Sequence, residues 1–293
     1  MRVVFVGTVE FSLRTLEELI SLDVNIVGVC TKKSSVLNSD FADLVPVCET
    51  NLIPYLYVDN INSEKSIEWI EKLSPDVIFC FGWSSLLKES VLNIAPMGVV
   101  GYHPSKLPKN RGRHPLIWAI VLGLENSAST FFFMDKDADS GDILSQVDFD
   151  ISYQDDAQSV YKGMVSVALS QIKKFIPILQ NGTYTKIKQN SKNSNIWRKR
   201  NKLDGLIDFR MNSRTIYNLT RALNKPYIGA HINYNKKSFS VWSVKEINNP
   251  DQNIEPGKVL KTNGRVFMVK TYDGAIEVVD HDFEIIPKVG EYL

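Results

Sequence analysis

The sequence has few cysteines, almost no net charge and no long apolar run. Its three cysteines, Cys30, Cys48 and Cys80, stand in or beside apolar stretches and form no Cys-x-x-Cys pair. This pattern predicts structural thiols in a reducing compartment and gives no support to a zinc site. A formal net charge of +1 over 293 residues excludes a global electrostatic field as the basis of anion binding. Any anion must therefore be held by local clusters of cations.

No stretch reaches the roughly 20 apolar residues that a membrane-spanning helix needs. The N-terminal stretch MRVVFVGTVEF is interrupted by Glu10 too early for a signal peptide. Repeats and low-complexity tracts are absent as well. A content of 44% hydrophobic and 23% charged residues is typical of a globular protein. We therefore expect a cytoplasmic protein with no membrane partner.

The first half of the sequence alternates apolar strands with amphipathic helices. Continuous apolar runs such as 24–30 and 98–103 are typical of strands covered on both faces. The other predicted strands are 2–7, 54–58, 76–83, 129–135 and 143–151, and the predicted helices lie near 11–21, 43–50, 64–73, 114–124 and 156–180. This alternation predicts a doubly wound, mostly parallel α/β sheet, in which ligands bind beyond the carboxyl ends of the strands.

The second half has a different pattern. After a polar, basic and turn-rich stretch at 181–200, a helix at 213–224 precedes several short strands. These strands are predicted at 230–235, 239–246, 257–262, 265–270 and 275–280. Their spacing predicts a small β-barrel or sandwich. We therefore divide the chain into an N-terminal domain at 1–190, a basic linker at 191–203 and a small C-terminal β domain at 204–293.

The segment GYHPSKLPKNRGR, residues 101–113, combines a histidine with stiffening residues and several cations. His103 stands at the predicted carboxyl end of a strand, where a side chain that titrates near neutral pH can act as a general base. A solvated basic loop is the alternative interpretation. Asp139 in ADSGD has the composition of a turn residue, and it supports His103 only if the fold brings the two together.

Several motifs, in order, resemble those of folate-dependent formyltransferases. HPSKLPKNRGR, followed by PLIWAI, STFFFMD and ADSGDIL, is similar to their HxSLLPxxRG…DxGxI signature, and VVFVGTVEF resembles their first strand and turn. WRKR…DGLIDF…IYNLTRALNKPYIGA resembles the C-terminal region shared by methionyl-tRNA and nucleotide-sugar formyltransferases. The resemblance implies a Rossmann-like formyltransferase domain followed by an OB-like β domain.

The resemblance also implies a reaction, the transfer of a formyl group from N10-formyltetrahydrofolate to a primary amine through a tetrahedral intermediate. His103 matches the motif histidine, and Asp139 matches the motif aspartate. His103 would take the proton of the amine or donate to the oxyanion, and Asp139 would orient the imidazole and stabilise its charged form. The reaction requires no metal.

The sequence departs from the family motif at Gly101, where the family has asparagine two residues before the histidine. Glycine supplies no side-chain donor to the oxyanion, and loss of one such donor costs roughly a hundred- to a thousand-fold in rate in other enzymes. Three explanations stay open. Tyr102, Asn110 or a water replaces the donor; the mechanism relies more on His103; or the chain is a non-catalytic folate- or nucleotide-binding module.

The family's pterin pocket implies a folate site along FCFGWSSLL, residues 79–87. Gly82 is a candidate for the folate site, and Trp83 and Leu86 are candidates for its apolar wall. The alternative for Trp83 is that it is simply a residue of the hydrophobic core. Lys106, Asn110 and Arg111 are candidates for contacts to folate or to the phosphates of a sugar nucleotide.

Three acceptor amines are compatible with the family. Methionyl-tRNA would need a broad basic surface, which a net charge of +1 disfavours. Glycinamide ribonucleotide is disfavoured because the enzymes that formylate it lack the long second domain. A nucleotide-linked amino sugar fits best, because its diphosphate needs only a few bidentate cations. The candidates are Arg198, Arg200 and Arg221, with Tyr227 stacking on the base.

VLNSDFADL, residues 36–44, resembles sugar N-formyltransferases that act on amino-dideoxyhexoses, so Asn38, Ser39 and Asp40 are candidates for the acceptor pocket. For Asp40 and Arg221 the alternatives are a helix N-cap and an ordinary helix charge. We expect a dTDP- or GDP-linked 4-amino-4,6-dideoxyhexose used in surface glycans such as lipopolysaccharide O-antigen. The base, UDP included, and an amine at C3 or C4 stay open. The resemblance also implies a homodimer.

Overall fold

The computed structural model describes residues 1–34, 40–225, 227–248 and 253–293. The helices are α1 (Glu10–Ser21), α2 (Val45–Thr50), α3 (Glu64–Lys72), α4 (Glu89–Leu92), α5 (Pro115–Val121), α6 (Ala157–Gln180) and α7 (Ser213–Ala222). The strands are β1 (Arg2–Val6), β2 (Asn25–Thr31), β3 (Tyr55–Tyr57), β4 (Val77–Cys80), β5 (Val99–His103), β6 (Arg111–Gly112), β7 (Asn126–Phe133), β8 (Ile143–Asp150), β9 (Ile196–Trp197), β10 (Ala230–Tyr234), β11 (Lys237–Ile247), β12 (Val259–Asn263), β13 (Val266–Lys270) and β14 (Ala275–His281). Within this described part of the chain, no helix is both long and apolar enough to cross a membrane.

A seven-stranded sheet in the order β3-β2-β1-β4-β5-β7-β8 forms the larger layer. Strands β3, β2, β1, β4 and β5 run parallel to one another, and β7 is antiparallel to β5. The prediction of a doubly wound, mostly parallel sheet is therefore confirmed. Because the chain order reverses on either side of β1, the carboxyl ends of β1 and β4 form the switch point where such sheets bind ligands.

The parallel strands are apolar because both of their faces are covered. Residues 3–6 of β1 and 77–79 of β4 have no exposed surface, as expected for central parallel strands. The three cysteines are free and buried, Cys30 in β2, Cys80 in β4 and Cys48 in α2. Burial raises the pKa of the Cys30 and Cys80 thiols to about 12 and that of Cys48 to about 11. The prediction of structural thiols is confirmed.

The turn from β1 to α1 is fixed by a single hydroxyl group. The Oγ of Ser12 accepts the backbone N–H groups of Thr8 and Val9 at 3.0 and 3.1 Å, and it donates to the carbonyl oxygen of Phe81. The first two bonds satisfy amides at the start of α1, and the third ties this turn to the residue after β4. The two loops at the switch point are therefore held together.

The second sheet contains five antiparallel strands in the order β10-β11-β14-β13-β12. Helix α7 contacts β11, and it buries Ile216 and Leu219. The prediction of a small, mainly β C-terminal domain is therefore confirmed, and the expected strands match β10 to β14 closely.

The chain forms two compact units whose boundaries do not follow the linear order of the sequence. The first comprises 1–115, 127–149 and 162–197, and the second comprises 116–126, 150–161 and 198–293. Two short segments from within residues 1–190, at 116–126 and 150–161, thus belong to the second unit. Within that unit, the backbone N–H of Ile151 donates to the carbonyl of Glu125 at 2.8 Å.

Candidate active site

His103 is the last residue of β5 and is 5% exposed. Its Nε2 lies 2.8 Å from the backbone carbonyl oxygen of Asn110. A neutral imidazole carries one N–H, and a carbonyl oxygen only accepts, so this contact selects the tautomer protonated at Nε2. The ring is thereby fixed with its Nδ1 free to accept a proton.

Asp139 stands directly beside that free nitrogen. Its Oδ2 lies 3.6 Å from Nδ1 of His103 and accepts the backbone N–H of Gly112 at 2.9 Å. Asp139 also has a φ of 55°, in the left-handed region that aspartate tolerates better than most residues. The structure thus brings His103 and Asp139 together, as the sequence hypothesis required.

The loop that follows His103 is fixed by a short pair of parallel strands. Strand β6 pairs with β9, with Arg111 opposite Ile196 and Gly112 opposite Trp197. Gly112 has a φ of 100°, and a Cβ at this position would lie 2.3 Å from the carbonyl oxygen of Trp197. Only glycine fits this position, because any side chain would meet both strain and a backbone atom. The stretch 181–200, which we expected to be a surface linker, therefore supplies a strand to the site.

The space that a side chain at Gly101 would occupy is filled by the side chain of Met134. A Cβ at Gly101 would lie 2.8 Å from Cγ of Met134 and 3.2 Å from Cζ of Phe132. Met134 thus lies against the backbone of Gly101, where any larger residue would project. The position carries no hydrogen-bond donor, since Met134 offers only a thioether.

The structure places the two expected replacement donors differently. Successive residues of a strand face opposite sides, so Tyr102 points away from the face of His103. Its ring stacks on Phe11 with centroids 4.1 Å apart, and burial raises its pKa. The expectation that Tyr102 donates to the oxyanion is therefore wrong, because its hydroxyl lies on the other face of the sheet. Asn110 meets His103 through its backbone carbonyl, which accepts rather than donates.

The segment expected to bind folate follows β4. Gly82 has a φ of 75°, and Leu86 is 64% exposed. The indole Nε1 of Trp83 is buried with no hydrogen-bond partner among the described residues, and the Lys32 ammonium lies 4.9 Å from the ring centroid. A buried donor without a partner is costly, so it marks a position where a ligand acceptor would be stabilised.

Two side chains hold this segment in place. The guanidinium of Arg113 donates to the carbonyl oxygen of Ser84 at 2.6 Å. On the other side, the side-chain amide of Asn62 donates to the carbonyl of Leu86 at 2.9 Å and accepts the N–H of Lys88 at 2.7 Å. Arg113 is the more informative of the two, because it joins the proposed folate segment to the loop of His103.

The two cations expected near the anionic parts of substrates are both engaged within the protein. Lys106 forms an exposed ion pair with Asp148. Arg111 donates from Nη2 to Oε1 of Gln189 at 2.7 Å, and its buried Nε has no partner among the described residues. Lys106 is therefore positioned at the surface, whereas Arg111 is directed toward the Asp139 turn through Gln189.

Arg198 and Arg200, expected to bind the diphosphate, belong to the second unit. The guanidinium of Arg198 pairs with Asp204 through two bonds and lies 5.2 Å from the ring of Trp118. Arg200 donates to the carbonyl oxygen of Asp204 at 3.3 Å, and burial lowers its pKa. The contact of either residue with a phosphate stays a prediction.

Arg221 is 8% exposed and supports the backbone of its own unit. It donates to the carbonyls of Ser152 and Asp155 at 2.9 and 2.6 Å, and to the side chain of Asn218 at 2.9 Å. Nε and Nη1 of this guanidinium are thus bound to protein acceptors, so Arg221 is not an ordinary surface charge, and its contact with a phosphate stays a prediction. Tyr227 lies in the turn after α7, where its N–H donates to the carbonyl of Asn224 at 3.1 Å.

Of the three candidates for the acceptor pocket, the structure describes only Asp40. Asn38 and Ser39 lie outside the described residues. The carbonyl of Asp40 accepts the N–H of Glu10 at 2.8 Å, which places Asp40 against the start of α1. Burial raises the pKa of the Asp40 carboxyl above its ordinary value.

Sequence reasoning missed the residues that hold the site together. Gln189 and Asn195 lie in the polar, turn-rich stretch 181–200, and Met134 lies in the strand predicted at 129–135, and none of the three was a candidate site residue. Asn195 Oδ1 accepts the N–H of Asn110 at 2.8 Å. The available signal was the density of asparagine and glutamine between 189 and 195, side chains that readily bond to backbone groups.

Comparison with known proteins identifies the family. Residues 1–174 match the family model described as formyl transferase, and residues 199–285 match the formyl transferase C-terminal domain. The chain therefore belongs to the formyltransferase family and carries both of its domains. The predicted family is confirmed.

Among curated proteins, the bifunctional polymyxin resistance protein ArnA of Wigglesworthia glossinidia brevipalpis is 32% identical over 247 residues. The match covers 84% of this chain and 38% of ArnA, so the chain corresponds to well under half of that relative.

Two solved structures show the same fold at low identity. The N-formyltransferase of Helicobacter canadensis, in complex with folinic acid and dTDP-3-aminofucose, has a TM-score of 0.72 and 20% identity, and the alignment covers 96% of this chain and 99% of that one. Methionyl-tRNA formyltransferase from Clostridium thermocellum has a TM-score of 0.63 and 17% identity, with 94% and 100% covered. Both likenesses concern the fold.

Proposed function

We propose that this protein transfers the formyl group of N10-formyltetrahydrofolate to the amine of a nucleotide-linked amino-dideoxy sugar, with a dTDP- or GDP-linked 4-amino-4,6-dideoxyhexose as the first choice. One observation carries the catalytic part of the proposal. Nδ1 of His103 faces Oδ2 of Asp139 at 3.6 Å at the carboxyl end of a parallel strand. A proton acceptor beside a carboxylate is what amine formylation requires.

The chemistry follows from this geometry. The neutral amine attacks the formyl carbon, and a new C–N bond forms while negative charge collects on the formyl oxygen. The amine proton passes to Nδ1 of His103, and Asp139 stabilises the resulting imidazolium because its carboxylate lies beside that nitrogen. Collapse of the intermediate breaks the bond to N10 of the folate, which receives the proton. His103 is then neutral again.

The residues of the β4 loop suit a folate. A pterin is flat and carries ring acceptors and donors, and the unpartnered buried Nε1 of Trp83 offers one donor beside an aromatic surface. Arg113 fixes the loop through Ser84. The Helicobacter canadensis relative, which is in complex with folinic acid, supports the assignment of a folate co-substrate.

The proposal of a sugar nucleotide as the acceptor is based on the net charge of the chain and on the ligands of a solved relative. The balance of 34 basic and 33 acidic residues disfavours a surface built for a long polyanion such as tRNA. A sugar nucleotide has only two phosphates, and a solved relative is in complex with dTDP-3-aminofucose. Methionyl-tRNA is the competing acceptor, since a methionyl-tRNA formyltransferase has the same fold.

Mass spectrometry of turnover tests the proposal. The protein is incubated with N10-formyltetrahydrofolate and a panel of dTDP-, GDP- and UDP-linked 3-amino and 4-amino sugars, with methionyl-tRNA added in parallel. We expect the mass of one formyl group to appear on a sugar nucleotide and to be lost with His103→Ala.

Two outcomes would contradict it. Formylation of methionyl-tRNA and of no sugar nucleotide would show that the proposed acceptor is wrong. Binding of folate or sugar nucleotide with no turnover at high enzyme concentration would favour a binding module. The resemblance also leads us to expect a homodimer formed through the second domain. Sedimentation tests this expectation separately, and a monomer at micromolar concentration would contradict it.

A further inference from the structure

Gln189 makes three hydrogen bonds that connect the two loops of the site. Its Nε2 donates to the carbonyl of Asp139 at 2.9 Å and to the carbonyl of Gly141 at 2.7 Å. Its Oε1 accepts from Nη2 of Arg111 at 2.7 Å. One amide thus holds both ends of the Asp139 turn and a residue of the loop that follows His103.

We propose that Gln189 is a positioning residue, which sets the separation of Asp139 from His103 during formyl transfer. The proposal rests on the function proposed above, because it assumes that this pair handles the proton. Gln189 does not touch the reacting atoms in our account. It acts through Asp139 and Arg111.

The chemistry of the glutamine amide fits this role. The group has two N–H donors and one carbonyl acceptor on a side chain of moderate length. Here both N–H groups donate to backbone carbonyls and the carbonyl oxygen accepts from a guanidinium, so each donor and acceptor of the amide has a complementary partner. Glutamate would place a carboxylate against two carbonyl oxygens, and leucine would leave all three groups without a partner.

The backbone of Asp139 needs such support. Its φ of 55° is a left-handed conformation, which a non-glycine residue keeps only when its surroundings hold it. Gln189 binds the carbonyl of this residue, while Gly112 binds its carboxylate at 2.9 Å. Without Gln189, the turn can relax and carry the carboxylate away from the imidazole.

The neighbouring residues anchor the opposite loop in the same way. Asn110 has a φ of 62°, and its N–H donates to Oδ1 of Asn195 at 2.8 Å. The N–H of Arg111 donates to the carbonyl of Asn195 at 3.1 Å. Asn110 and Asp139, the two left-handed residues next to His103, are therefore each fixed by a hydrogen bond to one residue of the segment 189–195.

Steady-state kinetics of Gln189→Leu and Gln189→Glu test the proposal, with Gln180→Leu as the matched control. Gln180 is an exposed glutamine at the end of α6 in the same unit. We expect kcat to fall roughly ten- to a hundred-fold in both Gln189 variants, because small misplacements of catalytic groups cost that much. KM for both substrates should change less than about threefold, since Gln189 binds neither.

Nitrogen NMR of the imidazole rings gives a readout that does not depend on turnover. The chain has only four histidines, and comparison with His103→Ala assigns the resonances of His103. The wild-type protein should show the Nε2-protonated tautomer, and Gln189→Leu should shift the resonance of Nδ1. Because this spectrum needs no substrate, it tests Gln189 even if the protein formylates no sugar.

An unchanged His103 spectrum together with a kcat within twofold of wild type would overturn the proposal. An equal loss in Gln180→Leu would also overturn it. If Gln189→Leu does not fold, Gln189→Glu, which keeps the acceptor for Arg111, serves for the same two measurements.

Discussion

Oδ2 of Asp139 faces Nδ1 of His103 at 3.6 Å, while Nε2 of the same ring is fixed 2.8 Å from the carbonyl of Asn110. The backbone therefore orients the imidazole, and the carboxylate stands beside the nitrogen that would receive the proton. In a hydrolase triad the carboxylate binds the nitrogen that carries the proton at rest. In the proposed reaction, Asp139 would therefore act electrostatically, by stabilising His103 when it becomes charged.

Gly112→Ala should strongly destabilise the protein. Its Cβ would lie 2.3 Å from the carbonyl of Trp197, at a φ of 100°. We expect a loss of about 3 kcal/mol or more in the free energy of unfolding, measured by urea denaturation. Gly182→Ala is the control, because Gly182 has a φ of 68° with no atom within 4 Å of a Cβ. It should lose only about 1 kcal/mol, and equal losses would show that the Trp197 contact is unimportant.

Gly101→Asn and Met134→Ala should compensate for each other. The asparagine alone would overpack, since its Cβ would lie 2.8 Å from Cγ of Met134, and this costs about 1–3 kcal/mol. Met134→Ala alone removes the packing of a partly buried side chain, so it should cost no more than about 2 kcal/mol, the lower end of the range for a buried methionine. The double variant should be at least about 1 kcal/mol more stable than the sum of the two losses predicts. Strict additivity in a denaturation cycle would contradict the packing relationship.

Arg113→Ala should weaken folate binding more than catalysis. Removal of the guanidinium removes its bond to the carbonyl of Ser84, and with it one restraint on the loop that carries Trp83. A hydrogen bond to a charged group contributes about 1.5 kcal/mol or more, so KM for formyltetrahydrofolate should rise about tenfold. Lys109→Ala, which removes an exposed cation from the same loop, should leave that KM within twofold. If the two variants behave alike, the effect is one of overall charge.

The Arg198–Asp204 pair predicts a pH dependence of stability. Hydrogen bonds from Arg198 lower the pKa of Asp204 from 3.8 to about 2. Since the folded value lies below the unfolded one, the stability from this pair is complete above about pH 5 and is lost progressively as the pH falls toward 2. Wild type should therefore lose more stability than Asp204→Asn between pH 5 and pH 3, as measured by urea denaturation. Parallel losses would show that the pair contributes nothing.

The elements of both sheets were predictable because their signals are local. Buried apolar runs identified β1, β2, β4 and β5, and short strands between turns identified the second sheet. Strands β6 and β9 contain two residues each, too few for any periodicity, and they pair across more than 80 positions. That pairing depends on Gly112 fitting against Trp197, which the sequence does not reveal.

The central residues of the candidate site were predictable from the motif, whereas their supports were not. Arg221 shows the reason. Its position on a helix is visible in the sequence, but the carbonyls of Ser152 and Asp155 that bind it come from a segment about 66–69 positions earlier. Gln189 is a similar case, because its partners lie in two separate turns. Contacts from side chains to distant backbone groups leave no pattern in a single sequence.

The most direct measurement is the single-turnover rate of formyl transfer by wild type and Asp139→Asn, with both substrates saturating. Asparagine keeps an acceptor for the N–H of Gly112 but removes the charge beside His103. We expect this rate to fall by roughly a hundred- to ten-thousand-fold while both substrates still bind. A rate within about threefold of wild type would contradict the role assigned to the His103–Asp139 pair.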